Sequence, residues 1–165
     1  LRHDVKEQAE NVMIVDLVRN DLSRTALRGT VEVEELFGIY TFPHVHQMIS
    51  TIAANIPHSD YLECIRKAFP MGSMTGAPKI RAMELIEQYE KSRRGLYSGT
   101  VGYFTPERDF DLNVVIRSIL YHAAKNYVSF QAGSAITNLS DPASEYEECR
   151  LKARALEHVL MQNPE

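Results

Sequence analysis

Two pairs of glutamates carry the first hint of chemistry in this chain. Glu7 and Glu10 lie three residues apart near one end of the sequence, and Glu145 and Glu148 repeat that spacing near the other. On a helix such spacing turns both carboxylates of a pair to nearly the same side, where like charges repel. Lys152 extends the second pair's face by another turn. If the two helices faced one another, the oxygen donors would suit a hard cation such as Mg²⁺, which keeps several waters and takes one or two carboxylates directly. The plainer reading is two solvated helix faces, and the spacing alone does not choose.

Arg117 sits inside Leu112–Leu120, a segment mostly apolar on both faces that reads as a strand. A guanidinium buried there needs either an internal Asp or Glu or a bound carboxylate to meet its planar fork of donors. Ser73 belongs to the Gly/Ser/Thr-rich stretch Gly72–Lys79, just ahead of a helix whose unpaired N–H groups attract anions; simple capping is the alternative. Gly133, Ser134 and Ala135 offer open backbone N–H groups between a strand and the last helix, as any tight turn does. Tyr97, with Gly99 and Gly102 nearby, either contacts a ligand through its hydroxyl or fills the core. His44 and His46 alternate onto one face of a strand, as an acid–base pair or as structural groups. No GxSxG, GxxxxGK[ST] or HExxH occurs, so serine-hydrolase, P-loop and zinc-protease chemistries have no foothold.

The elements that must hold these residues follow from periodicity. Val5 to about Ser23 reads as a largely buried helix, with Val5, Ala9, Val12 and Met13 at helical spacing. It shows no capping residue, which points to a chain that continues upstream. Gly29–Val33 and Val45–Ala53 read as strands, and Asp60–Phe69 as a helix stopped by Pro70. A further helix starts at Pro78, with Ala82, Leu85, Ile86 and Tyr89 as its packing stripe. Tyr97–Phe104, Leu112–Tyr121 and Tyr127–Ala132 are expected to form an antiparallel meander, the first two strands joined by a Thr105–Asp109 turn. Asp141 and Pro142 open the last helix, with Cys149, Ala153, Leu156 and Leu160 facing the core.

With 165 residues, 44% of them apolar, the chain is long enough to bury a core and is expected to form one compact unit. A net charge of −4 without basic clusters gives no footprint for nucleic acid or an anionic membrane. No apolar run reaches the ~20 residues that span a bilayer, and the first residues lack a secretory pattern, so a cytoplasmic location is expected. Cys64 and Cys149 are far apart and read as free thiols.

Taken together, Lys6–Asp21, Gly72–Lys79 with Ile80–Glu84, Gly99–Tyr103, Val115–Ser118 and Glu145–Glu148 resemble the chorismate-binding enzymes, over essentially the whole chain. The resemblance implies an α+β fold, antiparallel sheets with outer helices, of which residues 1–165 supply the C-terminal part, about half of the family's αββα sandwich. It implies a Mg²⁺ ion on Glu10 and Glu148, with Glu7 and Glu145 supporting its waters. It also implies chorismate contacts from Ser73, Tyr97, Arg117, Gly133, Ser134, Ala135 and Lys152. Two departures stand out: Gln47 replaces a histidine found in many relatives, and Ala135 replaces a second glycine. Val45–Thr51 and Gly72–Gly76 resemble the aminodeoxychorismate synthase branch, which exchanges the 4-hydroxyl of chorismate for an amino group, towards 4-aminobenzoate and folate. That branch takes ammonia from a glutamine amidotransferase partner. Its nucleophilic lysine lies in a Pro-Ile-Lys-Gly-Thr segment that this chain lacks, so no turnover is expected from residues 1–165 alone. Anthranilate synthase component I and a non-catalytic binding fragment are the alternatives.

Overall fold

The computed structural model describes residues 1–43 and 45–162. The chain divides into two compact units, Leu1–Lys91 and Ser92–Glu165, where the sequence reads as one. Each strand pairs with its neighbour in the chain, so the ladders are local to each half.

The first unit opens with helix α1 (Val5–Ser23). Contrary to the uncapped start expected, Asp4 caps it, its carboxylate accepting from the backbone N–H of Lys6 at 3.0 Å and of Glu7 at 3.1 Å. Its expected burial is also corrected. Only Val15 and Asp21 are buried, whereas Val5 is 73% exposed and Val12 40%. A hairpin, one short helix and the 3₁₀ turn at Gly72–Met74 pack along it. That hairpin pairs β1 (Glu32–Thr41) antiparallel with β2 (His46–Ala53), so the first strand starts later than Gly29 and runs well past Val33. A bulge between Glu35 and Gly38 puts Phe37 at φ 59°. The Ser50 hydroxyl accepts the Phe37 N–H at 3.0 Å and donates to Asn11 Oδ1 on α1 at 2.5 Å, tying helix to hairpin.

Helix α2 (Tyr61–Ala68) ends ahead of Pro70 as expected, and α3 (Lys79–Tyr89) follows a single 3₁₀ turn at Gly72–Met74. The α3 stripe is shallower than its pattern suggests: Ala82, Leu85 and Ile86 are half-buried and Tyr89 is 71% exposed. On α2, Arg66 donates to both Glu63 oxygens, at 2.6 and 2.7 Å. These bonds, with Lys67 nearby, hold the Glu63 carboxyl down at about 2.

In the second unit β3 (Thr100–Phe104) pairs antiparallel with β4 (Phe110–Val114), and β5 (Leu120–His122) with β6 (Tyr127–Ser129). The Thr105–Asp109 turn forms as expected, the Thr105 N–H donating to the Asp109 carbonyl at 2.8 Å. The meander does not: the strand expected over Leu112–Tyr121 breaks after Val114. There Arg117 takes φ 49°, a left-handed conformation incompatible with a strand. Helix α4 (Pro142–Met161) is capped by Asp141, which accepts from the Ser144 N–H at 2.9 Å and from its hydroxyl at 2.8 Å. The same bonds hold the Asp141 carboxyl below its usual range. Leu156 is buried, Cys149 and Ala153 are half-buried, and Leu160 lies 44% exposed, outside the expected stripe. Both cysteines are free thiols. Among the described residues no helix is long and apolar enough to cross a membrane.

Candidate functional site

The second unit gathers six of the residues singled out by the sequence. Glu145, 3% exposed, stands in the first turn of α4, and the Ser134 hydroxyl donates to its Oε2. One turn further along the helix is Glu148, and Lys152 reaches back from the next turn to meet its Oε1 at 2.5 Å. The same ammonium donates to the Gly133 carbonyl at 3.2 Å. Tyr97 comes to this turn as well: a Cβ added to Gly133 would lie 3.0 Å from the Tyr97 hydroxyl, a tight contact that the glycine avoids. Tyr97 does not begin a strand, as the sequence suggests, but lies half-buried in the turn ahead of β3, with the Arg94 guanidinium 5.9 Å from its ring centroid. Ala135 is exposed, and its carbonyl accepts from the Ser140 hydroxyl at 3.3 Å.

Arg117 requires a correction. It is exposed on the break between β4 and β5, so burial does not force a partner on it. Its guanidinium makes no hydrogen bond or ion pair among the described residues and is therefore available to a ligand. Its position is nonetheless tied to Tyr97. Val115, two residues before it and 6% exposed, accepts from the Ser98 N–H and donates to the Gly99 carbonyl, both at 2.9 Å.

The first unit supplies the other carboxylate pair and Ser73. Lys6 lies 3.6 Å from Glu10, one turn along α1, and Glu7 stands three residues before Glu10 on the same helix. Ser73 is exposed in the 3₁₀ turn, its hydroxyl without a hydrogen bond among the described residues. The Thr75 hydroxyl and the backbone N–H groups of Met74 and Thr75 close that turn onto Met71 and Gly72. His46 is exposed at the start of β2, with its Nδ1 3.1 Å from the Thr41 hydroxyl, whereas His44 lies outside the described residues. Gln47 is exposed opposite Tyr40.

For a divalent cation the donor chemistry fits. Each of α1 and α4 carries a pair of carboxylates, hard oxygen donors of the kind from which Mg²⁺ takes one or two directly. Within each unit no three His, Cys, Asp or Glu side chains gather among the described residues, so neither helix makes a closed metal cage. Lys152 meets Glu148, the Ser134 hydroxyl donates to Glu145, and Lys6 stands beside Glu10. A hollow of about 680 Å³ lined by Leu96, Ile119, Tyr121 and Tyr127 holds none of these carboxylates and is not where this chemistry lies.

Sequence reasoning missed the Lys79–Asp21 pair. Asp21 is 3% exposed, the Lys79 side chain 12%, and they meet in a direct ion pair. The signals were an acid at the end of an apolar helical run and a lysine in the first turn of α3, where the helix dipole disfavours a cation.

An α+β unit pair carrying these motifs in this order defines the class: the chain belongs to the chorismate binding enzyme family, whose profile matches residues 1–158. It is 47% identical to the chloroplastic aminodeoxychorismate synthase of Arabidopsis thaliana, over 98% of this chain and 18% of that protein. Against aminodeoxychorismate synthase component 1 of Salmonella typhimurium the identity is 42%, over 97% of this chain and 35% of the relative. Anthranilate synthase component 1 of Streptomyces coelicolor shares 43% over 94% of this chain and 30% of its own. The crystal structure of anthranilate synthase component I from Streptococcus pneumoniae matches with a TM-score of 0.78 at 32% identity, over 93% of this chain and 35% of that one. The chain therefore spans between 18% and 35% of these relatives' lengths.

Proposed function

We propose that this chain is the metal-holding and carboxylate-binding part of an enzyme that replaces the 4-hydroxyl of chorismate with an amino group, on the route to 4-aminobenzoate and folate. The observation that carries the reading is the cluster in the second unit. There the Gly133–Ser134 turn, two carboxylates, a lysine and a tyrosine hydroxyl are brought together by Ser134–Glu145, Lys152–Glu148 and Lys152–Gly133 contacts. Such a set suits a carboxylated ligand presented by a cation.

In this reading Glu10 and Glu148 would hold Mg²⁺, and Glu7 and Glu145 would support its waters. When bound, the ion supplies Lewis acidity and a template for a substrate carboxylate. Arg117 pairs with a carboxylate through its fork of donors, the N–H groups of Gly133–Ala135 receive the same kind of group, and Ser73, Tyr97 and Lys152 complete the contacts. Ammonia comes from a glutamine amidotransferase partner, and the nucleophilic lysine from residues outside 1–165. The test is Glu10→Gln and Glu148→Gln, made separately in the full-length protein. Each is expected to abolish Mg²⁺-dependent consumption of chorismate, and ordinary metal dependence in both overturns the reading.

A second reading, anthranilate synthase component I, is favoured by the 43% identity to the Streptomyces coelicolor protein. Identifying the product formed from chorismate, ammonia and Mg²⁺ separates the two. 4-Amino-4-deoxychorismate supports the first reading, and 2-aminobenzoate the second.

A further inference from the structure

The Lys79 ammonium has three protons, and three acceptors of the first unit take them: Asp21 Oδ2, the Pro70 carbonyl at 2.7 Å and the Ala68 carbonyl at 3.3 Å. No donor remains for a ligand. What the ammonium does instead is close a loop. The carbonyls of residues 68 and 70 stand where the chain enters the stretch leading to Ser73, and Lys79 stands where it leaves. Asp21 anchors this closure to α1. One turn back along the same helix, Leu17 seats the loop itself: a Cβ on Gly72 would meet Leu17 Cδ2 at 3.0 Å. Glu10, Ile14, Leu17 and Asp21 follow the i, i+4, i+7, i+11 rule, so they lie along one stripe of α1. The residue before Ser73 therefore rests on the stripe that carries Glu10, about 10 Å further along the helix axis.

We infer that the buried Asp21–Lys79 pair is a positioning element that sets the path of the loop carrying Ser73, and through Ser73 the affinity for substrate. This rests on the reading above, in which Ser73 touches chorismate. Lys79 itself touches no reacting group. Its removal should weaken substrate binding only to the extent that Ser73 is displaced.

The experiment is a double-mutant cycle in the full-length protein, with KM for chorismate and kcat measured separately. Ser73→Ala is expected to raise KM by roughly ten- to a hundredfold, the worth of one hydrogen bond to a charged group. Lys79→Met should raise it by a similar factor, and the double variant by no more than the larger single effect. If the two effects multiply, or if Lys79→Met leaves KM unchanged, the inference is overturned while the role of Ser73 stands. An unchanged KM in Ser73→Ala removes that role, and the inference with it. The apolar pair Asp21→Leu/Lys79→Met distinguishes positioning from mere stability, and it replaces Lys79→Met in the cycle should the single variant not fold. It should recover most of the melting temperature lost in Lys79→Met yet keep the raised KM, and recovery of both refutes positioning.

Discussion

Breaking the Asp21–Lys79 pair should cost more from one side than from the other. Lys79→Met removes the partner of Asp21 Oδ2, while Oδ1 already lacks a hydrogen bond among the described residues, so a carboxylate only 3% exposed is stranded. The same change leaves the Pro70 and Ala68 carbonyls without their donor. Asp21→Leu, by contrast, leaves an ammonium whose side chain is 12% exposed and still has both carbonyls. Removing one partner of a buried pair costs about 3–5 kcal/mol, and replacing both by apolar groups of similar volume is often neutral. The stranded carboxylate belongs near the upper end, at about 5 kcal/mol, and the half-satisfied lysine near the lower, at about 3 kcal/mol. The Asp21→Leu/Lys79→Met variant should return to within about 1 kcal/mol of wild type. Denaturant unfolding followed by far-UV circular dichroism, with midpoint and slope compared across the four proteins, reads these differences. Equal losses in the two single variants, or a loss in Lys79→Met below about 1 kcal/mol, would refute the picture of a dry pair with unequal fallback partners.

Two further expectations come from local geometry. Gly133→Ala places a methyl 3.0 Å from the Tyr97 hydroxyl, so the ring must shift by a few tenths of an ångström and the melting temperature should fall; Tyr97→Phe added to it should restore part of that loss by freeing the space. No relief in the double variant would show that the ring is not the obstacle. Glu63 supplies a pH test, because Arg66 holds its carboxyl at about 2 against an ordinary 4.5. Between those values the unfolded chain binds more protons, so stability rises with pH. The contribution is whole above about pH 4.5 and is lost as pH falls through about 2. The pair is exposed, so the effect is small and salt-screened. Melting temperatures taken down to pH 2 should fall less steeply in Glu63→Gln, and parallel curves would discount the pair.

What was legible in the sequence depended on how local the deciding contact is. The Asp141–Pro142 start of α4, the Thr105–Asp109 turn and the end of α2 before Pro70 each rest on neighbouring residues, and all three formed as read. The α1 cap was equally local and was missed, since Asp4 stands just ahead of the periodic stretch. Periodicity tells which face of a helix is apolar, not how much of that face meets a partner. Hence Val5, Tyr89 and Leu160 carry the right pattern and lie exposed. Arg117 shows the opposite limit. The apolar run around it reads as a continuous strand, yet the strand ends at Val114, the backbone turns left-handed at Arg117, and a supposedly trapped charge lies exposed.

The site residues divide along the same line. Lys152 and Glu148 are four apart on a helix, so their meeting follows from spacing, whereas Ser134 reaching Glu145 depends on the path of the turn ahead of α4. Asp21 and Lys79 are 58 residues apart, and neither names the other. Each nonetheless makes a demand that sequence alone can state: an acid in an apolar stripe needs a donor, and a lysine at the positive end of a helix needs an acceptor. Among the described residues the buried acids are Asp21 and Glu145. Glu145 is answered by a serine hydroxyl within its own unit, which leaves the acid at the end of α1 to satisfy the lysine that closes the Ser73 loop.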